Sequence, residues 1–466
     1  MKRRKIYFRA DAGATIGYGH FVRSLALADM LKDDFDCTFF TKSPTDYQKK
    51  EAESVCNLVA LPSDDSRFDE FLLYLNGDEI VVLDNYFFTS DYQKQIKDQG
   101  CKLVCIDDIH DRQFYADVII NHCINDCTSY VAESETAYFL GAKWALLRKP
   151  FLQEIRGKHD ANHWVVIFGG SDPYNLSLPY ALFIKSLIPD ARLTIVVGDG
   201  YKNIDELGRI DNVTILNKLT ADQIKDTFSS AAHVVCSSSS VCYEALACGC
   251  TIHAGYYVNN QVEFYQNLKA QGIIDPLENL LNHEPHVNLN YKSNHSNISF
   301  SDIANRYRQL FKALTFKIVN YTQMSEDESR KTWECRNLEE IRSCMVNPNP
   351  FSFESHCNFI KSLEFNSTRL YYALFDNGTF VSSFDFIDIK DDELAERGLF
   401  VNPQYFRQGI GNMMDTYFEG IIVKRGVHKI AAEVYKFNEP SCKYHLHQGF
   451  KPYNEDEQLI YLAKTI

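Results

Sequence analysis

The chain has 466 residues, of which 45% are hydrophobic and 24% are charged, and its formal net charge is −14. At roughly 150 residues per folding unit, this length predicts about three globular units. An acidic chain without a basic stripe does not suit a nucleic-acid partner, because no surface would neutralise phosphates. No run approaches the roughly 20 apolar residues that span a bilayer, and the basic N-terminus precedes too short an apolar run for a signal peptide. We therefore expect a cytoplasmic protein with no membrane partner.

The 14 cysteines are scattered along the chain, and no C-x-x-C pair occurs. Cytoplasmic thiols stay reduced, so this usage does not predict a disulfide framework. Ligands at the spacings typical of zinc sites are also missing from the sequence. We expect no metal.

The first 125 residues alternate apolar strands with amphipathic helices, a rhythm that predicts a doubly wound parallel sheet. Phe21, Leu25 and Ala28 show helical spacing after the first strand. The predicted strands are Lys5–Arg9, Cys37–Thr41, Glu79–Asp84, Lys102–Asp107 and Asp117–Asn121. We assign residues 1–150 to a first Rossmann-like half.

A second Rossmann-like half is predicted over residues 151–313, because the pattern breaks near Pro150 and restarts after residues 157–160. Its predicted strands are Trp164–Phe168, Arg192–Val197, Val213–Leu216 and His233–Cys236. Residues 278–299 indicate a loop, Asp302–Leu314 a closing helix, and residues 314–466 a third α/β unit. Ligands of such sheets bind at the carboxyl ends of the strands, so we expect a cleft between the two halves.

The segment from Arg9 to His20 joins the first strand to the first helix. Gly17 and Gly19 allow a sharp turn and a close approach to a ligand. His20 falls at the predicted helix start, where partial positive charge disfavours the protonated imidazole. A neutral imidazole there could accept a proton from water. The alternative is a histidine that caps an ordinary tight turn.

A serine-rich segment, Cys236 to Ser240, follows a predicted strand and opens a helix that carries Glu244. Hydroxyls and free backbone N–H groups suit a diphosphate, and Glu244 could accept both hydroxyls of a ribose. The alternative is a serine N-cap beside an exposed glutamate. The segment from Gly169 to Asp172, with Gly170 and Ser171, leaves the same two interpretations open.

These motifs together resemble the UDP-2,4-diacetamido-2,4,6-trideoxy-β-L-altropyranose hydrolases of pseudaminic acid biosynthesis. The resemblance covers roughly residues 5–313 and implies a fold like that of GT-B glycosyltransferases, with UDP held mainly by the second half. It rests on Arg9-x-Asp11, Ile16-Gly-x-Gly-His20, Arg23, Asp84-Asn-Tyr86, Asp107-Asp108, Gly141 with Leu147-Arg148, Gly169–Asp172, Ser238–Glu244 and Asn260-Gln261.

The resemblance implies that His20 acts on water, that Tyr86 and Asn260 line the same catalytic cleft, and that Glu244 holds the uridine ribose. The C1–O bond would break with inversion, releasing UDP and the free sugar without a metal. The substrate-binding residues that it implies are Arg9, Asp11, Gly17, Gly19, Gly170, Ser171, Ser239, Ser240, Glu244 and Gln261.

The third unit contains a glycine turn between a strand and a helix. Leu399 to Pro403 is a predicted strand, and Arg407-Gln-Gly-Ile-Gly411 follows it. Consecutive N–H groups at such a helix start suit a pyrophosphate. The alternative is an ordinary left-handed turn.

Asn438, Ser441 and Gly449-Phe450 follow that turn and resemble the N-x-x-S/A…G-F signature of the GNAT N-acetyltransferases. The resemblance implies acetyl-CoA as co-substrate. Phe406 stands where the family's loop has Gln or Arg, and His445 occupies the slot of a tyrosine that protonates the CoA thiolate in many members. The acid is left open between His445 and Tyr444. The cofactor-binding residues implied are Leu399, Val401, Arg407, Gln408, Gly409, Gly411 and Asn438.

Upstream segments resemble the acetyltransferases of the same pathway, which act on a UDP-linked 4-amino sugar. These segments are Trp333-Glu-Cys-Arg-Asn337, Ile341–Met345 and His356-x-x-Phe-Ile360. Trp333, Arg336 and His356 could contact substrate, although a buried tryptophan and a salt-bridged arginine are equally ordinary. No general base is identified.

The leading hypothesis is a bifunctional fusion of the acetyltransferase and the hydrolase. One alternative is a UDP-sugar glycosyltransferase with an acetyl-CoA-binding accessory domain. Another is a third unit that senses acetyl-CoA without catalysis.

Overall fold

The computed structural model describes residues 3–13, 17–153, 159–198, 200–295, 298–389 and 394–466. The chain divides into two compact units, Met1–Arg308 and Gln309–Ile466. Ile16 of the first glycine turn, together with Gly157 and Lys158 of the predicted break, lies outside the described residues.

A parallel sheet fills the first part of the first unit. Over the described residues it has seven strands, in the order β3-β2-β1-β4-β5-β7-β9. Its strands are β1 (Lys5–Arg9), β2 (Asp36–Lys42), β3 (Asn57–Leu61), β4 (Ile80–Leu83), β5 (Lys102–Ile106), β7 (Val118–Asn121) and β9 (Ala137–Leu140), with a separate pair β6 (Gln113–Phe114) and β8 (Val131–Ala132). The helices are α1 (Gly19–Leu31), α2 (Asp46–Glu53), α3 (Ser66–Leu72) and α4 (Ser90–Asp98), and short 3₁₀ turns follow at Ala142–Trp144 and Lys149–Leu152.

A second parallel sheet follows in the same unit, with six strands in the described ranges and the order β12-β11-β10-β13-β14-β15. Its strands are β10 (Asp160–Ile167), β11 (Arg192–Val197), β12 (Val213–Asn217), β13 (Ala231–Ser237), β14 (Thr251–Tyr256) and β15 (Ile274–Asn279). The helices are α5 (Ser177–Leu187), α6 (Ile204–Leu207), α7 (Ala221–Ser230), α8 (Ser240–Ala247), α9 (Val262–Ala270) and α10 (Ile303–Ala313), and a 3₁₀ turn covers Asn259–Gln261.

The central strands are continuous buried apolar runs, as parallel strands covered on both faces require. All four residues of β4 are buried, and so are all four of β7. The second sheet has its own core around Trp164, Tyr180 and Leu193. Each sheet is therefore a rigid base for the loops that follow the carboxyl ends of its strands.

The second unit is built on a mixed sheet, which within the described residues has the order β16-β17-β18-β19-β20-β22-β21. Its strands are β16 (Lys317–Asn320), β17 (Leu370–Asp376), β18 (Thr379–Ile387), β19 (Leu394–Val401), β20 (Lys429–Tyr435), β21 (Lys451–Glu455) and β22 (Leu459–Thr465). The helices are α11 (Glu326–Arg336), α12 (Glu339–Arg342), α13 (Phe353–Leu363), α14 (Ile410–Ile422) and α15 (Glu439–His447). Only β19 and β20 pair in parallel, and their register covers just Leu394–Glu396 against Lys429–Ala431.

Strand predictions are confirmed in all nine cases of the first unit, with Lys5–Arg9 and Arg192–Val197 at the predicted bounds. The predicted closing helix is also present, as α10. No strand is predicted where the structure has β3, β9, β14, β15 and the short pair β6 and β8; of these, β3, β9 and β15 lie at the edges of their seven- and six-stranded sheets, whereas β14 lies between β13 and β15.

Candidate active sites

Four loops meet at the carboxyl edge of the first sheet, where ligands of parallel sheets bind. They follow β1, β4, β5 and β7, and they carry His20, Tyr86, Asp108 and His122. Because these four strands are central neighbours in the sheet order, side chains distant in sequence come together there.

The loop after β1 places His20 as the second residue of α1. Gly17 has φ +84, a left-handed conformation that favours glycine, and its N–H donates to the Gly13 carbonyl at 2.8 Å. Gly19 begins the helix, and His20 is buried, with 8% of its surface exposed. The predicted position of His20 at the helix start is confirmed.

His20 pairs with a buried carboxylate. Its Nδ1 lies 2.7 Å from Oδ1 of Asp84, a residue with no exposed surface. A carboxylate can only accept, so Nδ1 carries the hydrogen and the lone pair of the neutral ring is on Nε2. The ring is thereby oriented with a basic nitrogen available.

Arg23, one helical turn after His20, ties this pair to a second carboxylate. It donates to Asp84 through Nη2 at 2.6 Å and Nε at 2.8 Å, and to Asp108 through Nη1 at 2.8 Å. Burial is the largest single influence and raises the pKa of Asp84, but the charges and hydrogen bonds of Arg23 and His20 together outweigh it and hold the pKa well below its ordinary value. The pKa of Asp108 is lowered in the same way. Both carboxylates are therefore ionised at neutral pH.

Tyr86 connects this network to the second sheet. Its ring contacts the His20 ring edge-on at 4.7 Å between centroids, and its hydroxyl accepts a hydrogen bond from Asn260 Nδ2 at 2.9 Å. Burial and the negative charge of Asp108 raise the pKa of Tyr86, so the phenol stays protonated. His20, Tyr86 and Asn260, predicted to line one cleft, lie together. Gln261 is the next residue, and its amide oxygen accepts the Tyr257 N–H at 3.1 Å. That oxygen therefore points toward the protein backbone.

Further contacts join the two halves of the first unit on the same side. They are His110 Nε2 to Glu263 Oε2 at 2.8 Å, Asn125 Nδ2 to Asn267 Oδ1 at 3.0 Å, and Tyr243 hydroxyl to the His122 carbonyl at 2.8 Å. These links hold the carboxyl edges of the two sheets against each other.

The second half supplies the serine-rich segment at the end of β13. Ser239 is the N-cap residue of α8 but makes no side-chain cap hydrogen bond, and Ser240 begins the helix. Ser238 Oγ is buried with no partner among the described residues. The Ser239 hydroxyl instead donates to the Ser237 carbonyl at 3.4 Å. An unpartnered hydroxyl beside a helix N-terminus is a feature expected of an anion site.

Glu244 is buried and forms a two-pronged ion pair with Arg148, at 2.7 and 2.6 Å. The alternative of an exposed glutamate is therefore wrong. Each carboxylate oxygen keeps a second lone pair, so this pairing leaves acceptor capacity for a hydroxyl.

The loop with Gly170 and Ser171 follows β10. Its Asp172 accepts the N–H groups of Leu176 and Ser177, each at 2.8 Å, which fixes the start of α5. A Cβ at Gly198 would lie 2.5 Å from the Gly170 carbonyl oxygen, so the loops after β10 and β11 are in close contact.

Arg9 and Asp11 form a buried pair. Both have no exposed surface, and they pair with one another through both guanidinium nitrogens. Asp11 also accepts the Lys42 N–H at 2.8 Å and lies 3.3 Å from Arg67 Nε. Substrate binding by these two residues stays a prediction; Arg9 Nε is buried without a hydrogen-bond partner among the described residues. The pair fixes the loop that leads to His20.

In the second unit, the predicted glycine turn stands at the start of α14. Gly409 is the N-cap residue with φ +78, and Arg407 has φ +62. Arg407, Gln408 and Gly409 are exposed, so the first N–H groups of α14 are open to a ligand.

Strand β19 separates from β20 directly after Glu396, which leaves Leu399 and Val401 beside an opening in the sheet. Asn438 lies at the end of β20 and is the N-cap residue of α15, where its Oδ1 accepts the Ser441 N–H at 3.2 Å. The glycine turn, the opening and this cap lie along one edge of the sheet.

Tyr444 was one of two predicted acids, but its hydroxyl donates to buried Asp415 at 2.5 Å. Asp415 also pairs with buried Arg397 at 3.2 Å. Burial and Asp415 raise the pKa of Tyr444 well above its ordinary value. A Cβ at Gly411 would lie 2.9 Å from the Tyr444 ring, so this glycine makes room for the tyrosine. The placement gives Tyr444 a packing role.

His445, the other predicted acid, is buried, and its Nδ1 lies 2.7 Å from the Ser441 carbonyl oxygen. Burial and the charge of Arg397 lower its pKa to about 3. The neutral ring therefore donates its one N–H to a backbone carbonyl and has no other proton to donate. Both side chains thus donate to acceptors within the protein, and the acid of acetyl transfer stays a prediction.

The predicted substrate contacts upstream lie in a layer of helices. Trp333 Nε1 donates to the Phe351 carbonyl at 2.8 Å. Arg336 Nη1 and His356 Nε2 are buried, with no hydrogen-bond partner in the described part of the chain. Burial lowers the pKa of His356 to about 4, so this ring is neutral at pH 7.

Several residues that complete these sites had no role assigned from the sequence. The sequence motifs include Asp84, Asp108 and Arg148 without indicating a role for them, and no motif includes Asp415. The one local signal was Arg23, which is three residues from His20 on the same helix face. The described residues contain no group of three or more side chains suited to a metal ion, and no described helix is long and apolar enough to cross a membrane.

Residues 336–450 match the acetyltransferase (GNAT) family. This match supports acetyl-CoA as the co-substrate of the second unit. Acetyltransferase PseH of Campylobacter jejuni is 25% identical over 148 residues, which are 32% of this chain and 92% of that protein. The crystal structure of Campylobacter jejuni PseH in complex with acetyl coenzyme A is 23% identical, covers 32% of this chain and 98% of its own, and has a TM-score of 0.27.

The first unit has its own relatives. The UDP-2,4-diacetamido-2,4,6-trideoxy-beta-L-altropyranose hydrolase of Campylobacter jejuni is 26% identical over 271 residues, which are 55% of this chain and 93% of that protein. The uncharacterized protein MJ1062 of Methanocaldococcus jannaschii is 26% identical over 284 residues, and the match spans only 58% of that protein's length. The chain thus joins an α/β unit similar to a nucleotide-sugar hydrolase to a C-terminal unit that matches the acetyltransferase (GNAT) family.

Proposed function

We propose that the chain is a bifunctional cytoplasmic enzyme of pseudaminic acid biosynthesis. The second unit acetylates the 4-amine of UDP-4-amino-4,6-dideoxy-N-acetyl-β-L-altrosamine with acetyl-CoA. The first unit hydrolyses the resulting UDP-2,4-diacetamido-2,4,6-trideoxy-β-L-altropyranose to UDP and the free sugar. Residues 1–150 and 151–313 act as two GT-B-like halves around the hydrolytic cleft. The similarity of each unit to a relative with the corresponding name supports this pairing.

The observation that carries the hydrolase proposal is the His20–Asp84 pair at 2.7 Å. Nε2 of His20 takes a proton from water as the water oxygen attacks C1 of the sugar. The C1–O bond breaks with inversion, and its electron pair leaves with UDP. Asp84 stabilises the imidazolium that forms, as an orienting carboxylate does for a general-base histidine.

The second half holds the leaving group. Ser239, Ser240 and the N–H groups that begin α8 face the diphosphate, because a helix N-terminus favours negative charge. Gly170 and Ser171 border the same cleft. Glu244, fixed by Arg148, accepts the ribose hydroxyls.

In the second unit, the N–H groups that begin α14 hold the pyrophosphate of acetyl-CoA, with Arg407 and Gln408 at the same turn. The edge of β19 at Leu399 and Val401 receives the pantetheine arm, since its backbone groups are left unpaired by β20. The tether between units raises the local concentration of the shared nucleotide sugar.

Incubation of the diacetamido nucleotide in ¹⁸O-labelled water, without any acceptor, tests the hydrolase. We expect rapid release of UDP that contains no ¹⁸O, because the label goes to the sugar when C1–O breaks. Turnover that requires an added acceptor would instead identify a glycosyltransferase, and ¹⁸O in UDP would mean P–O cleavage.

His20→Ala should abolish this hydrolysis and leave acetylation intact. His286→Ala removes an exposed histidine of the same unit and serves as the matched control. Loss of both activities in His20→Ala would contradict two separate sites.

A further inference from the structure

One face of the second unit's sheet carries two carboxylates where the sheet opens. Asp385 on β18 stands directly opposite Gly398 on β19. Glu396 lies two residues from Gly398, so its side chain emerges on the same face as that of Asp385. Glu396 is also the last residue of β19 that pairs with β20. Asp385 is thus one strand away from the start of the opening.

Gly398 makes the position of Asp385 possible. A Cβ built on Gly398 would lie 2.5 Å from Oδ2 and 2.6 Å from Oδ1 of Asp385. The carboxylate therefore lies over the backbone of β19, in space that any other residue at 398 would fill. Without that glycine, the carboxylate would be displaced from the edge of the opening.

Charged and titratable groups on the neighbouring elements act electrostatically on Asp385, although Arg397 emerges on the opposite face of the sheet. They are Glu396 and Arg397 from β19, Arg336 from α11, Arg369 before β17, Tyr371 from β17 and Tyr321 from the turn after β16. Burial and the charge of Glu396 outweigh the three arginines and raise the pKa of Asp385 to about 7. Asp385 as a residue keeps part of its surface exposed. A carboxylate with these properties takes and returns protons at neutral pH.

We propose that Asp385 is the general base of acetyl transfer, accepting a proton from the sugar's 4-ammonium directly or through one water. This inference rests on the proposed acetyltransferase function. Removing that proton exposes the nitrogen lone pair, which attacks the thioester carbonyl carbon. The C–N bond forms and the C–S bond breaks. The nitrogen then loses a second proton, which ends on the thiolate to give CoASH. Asp385 returns the first proton to solvent.

The test compares pH profiles of kcat/KM for CoASH release by the full chain and by Asp385→Asn, which keeps the shape of the side chain. We expect a loss of about 100-fold or more near pH 7. The loss should shrink at higher pH, where the amine deprotonates unaided. Acetyl-CoA affinity should be unchanged.

Two further variants separate a base from a structural residue. Glu396→Gln removes a charge that raises the pKa of Asp385. The rising limb of the kcat/KM profile of this variant should therefore shift to lower pH. Glu334→Gln removes an exposed carboxylate of α11 and should reproduce the wild-type profile.

An Asp385→Asn profile like that of the wild type overturns the role of Asp385. A loss that is equal at every pH and accompanied by weaker acetyl-CoA binding also overturns it, in favour of a structural role. A wild-type chain that releases no CoASH from the 4-amino nucleotide overturns the proposed acetyltransferase function itself. The failure of the inference and the failure of the function are therefore distinguishable.

Discussion

Asp84→Asn probes the carboxylate that orients His20. The carboxylate accepts from His20 Nδ1 at 2.7 Å, from two nitrogens of Arg23 at 2.6 and 2.8 Å, and from Ser24 Oγ at 2.8 Å. Asparagine keeps the shape but removes the charge and turns an N–H₂ group toward one of these donors. The imidazolium formed when His20 takes a proton then loses its stabilising partner.

The expected cost to hydrolysis is that of a misdirected general base, about 100- to 10,000-fold in kcat. This corresponds to about 3–5.5 kcal/mol of barrier. Breaking a buried ion pair also costs about 3–5 kcal/mol of stability. Because Arg23 keeps its hydrogen bond to Asp108 at 2.8 Å, we expect a loss of stability at the lower end of that range.

The assay measures UDP release at saturating nucleotide sugar, together with UDP affinity and urea unfolding of the same preparation. UDP affinity should be retained, since the proposed nucleotide site lies in the second half. Ser24→Ala is the matched control, because it removes one neutral donor to the same carboxylate and should cost only about 0.5–1.5 kcal/mol of stability. A folded Asp84→Asn chain that releases UDP within a few fold of the wild-type rate would refute the account of His20.

Three further predictions concern other parts of the two sites. Glu244→Gln should weaken UDP binding about 10-fold or more, as measured by calorimetry, because a hydrogen bond to a charged group contributes about 1.5–3 kcal/mol; unchanged affinity would remove Glu244 from the ribose site. Gly411→Ala should destabilise the second unit by about 1–3 kcal/mol in thermal unfolding, since the new Cβ meets the Tyr444 ring at 2.9 Å; a Gly411→Ala, Tyr444→Leu double variant should recover much of the loss. The folded pKa of His356 is about 4, below the unfolded value of about 6.5, so the unfolded chain binds more protons between these values and stability falls as pH drops from 6.5 toward 4. Between pH 7 and 4.5, the free energy of unfolding of the second unit, measured in urea, should fall by about 2–3 kcal/mol less in His356→Gln than in the wild type. An equal fall in both proteins would contradict the buried neutral ring.

The strands were predictable because central parallel strands are unbroken apolar runs. Strand β3 escaped this signal because only Leu61 of its residues is buried. The separation of β19 from β20 also left no local pattern, because the gap depends on the tertiary register of the two strands.

The candidate sites were predictable only as far as local motifs extend. The glycines predict a turn that leads into a helix, and His20 lies at the start of that helix. Its partner Asp84 is 64 residues away, so no spacing rule could pair them. The same reason explains Tyr444, whose hydroxyl partner Asp415 is 29 residues earlier and on another helix.

The most direct test of the central claim is a mass-spectrometric time course of the full chain with UDP-4-amino-4,6-dideoxy-N-acetyl-β-L-altrosamine and acetyl-CoA. The account predicts a diacetamido nucleotide first and then UDP with the free diacetamido sugar, whereas His20→Ala stops at the nucleotide. Release of the sugar before acetylation, or an acetylated nucleotide that the wild-type chain never hydrolyses, would contradict it.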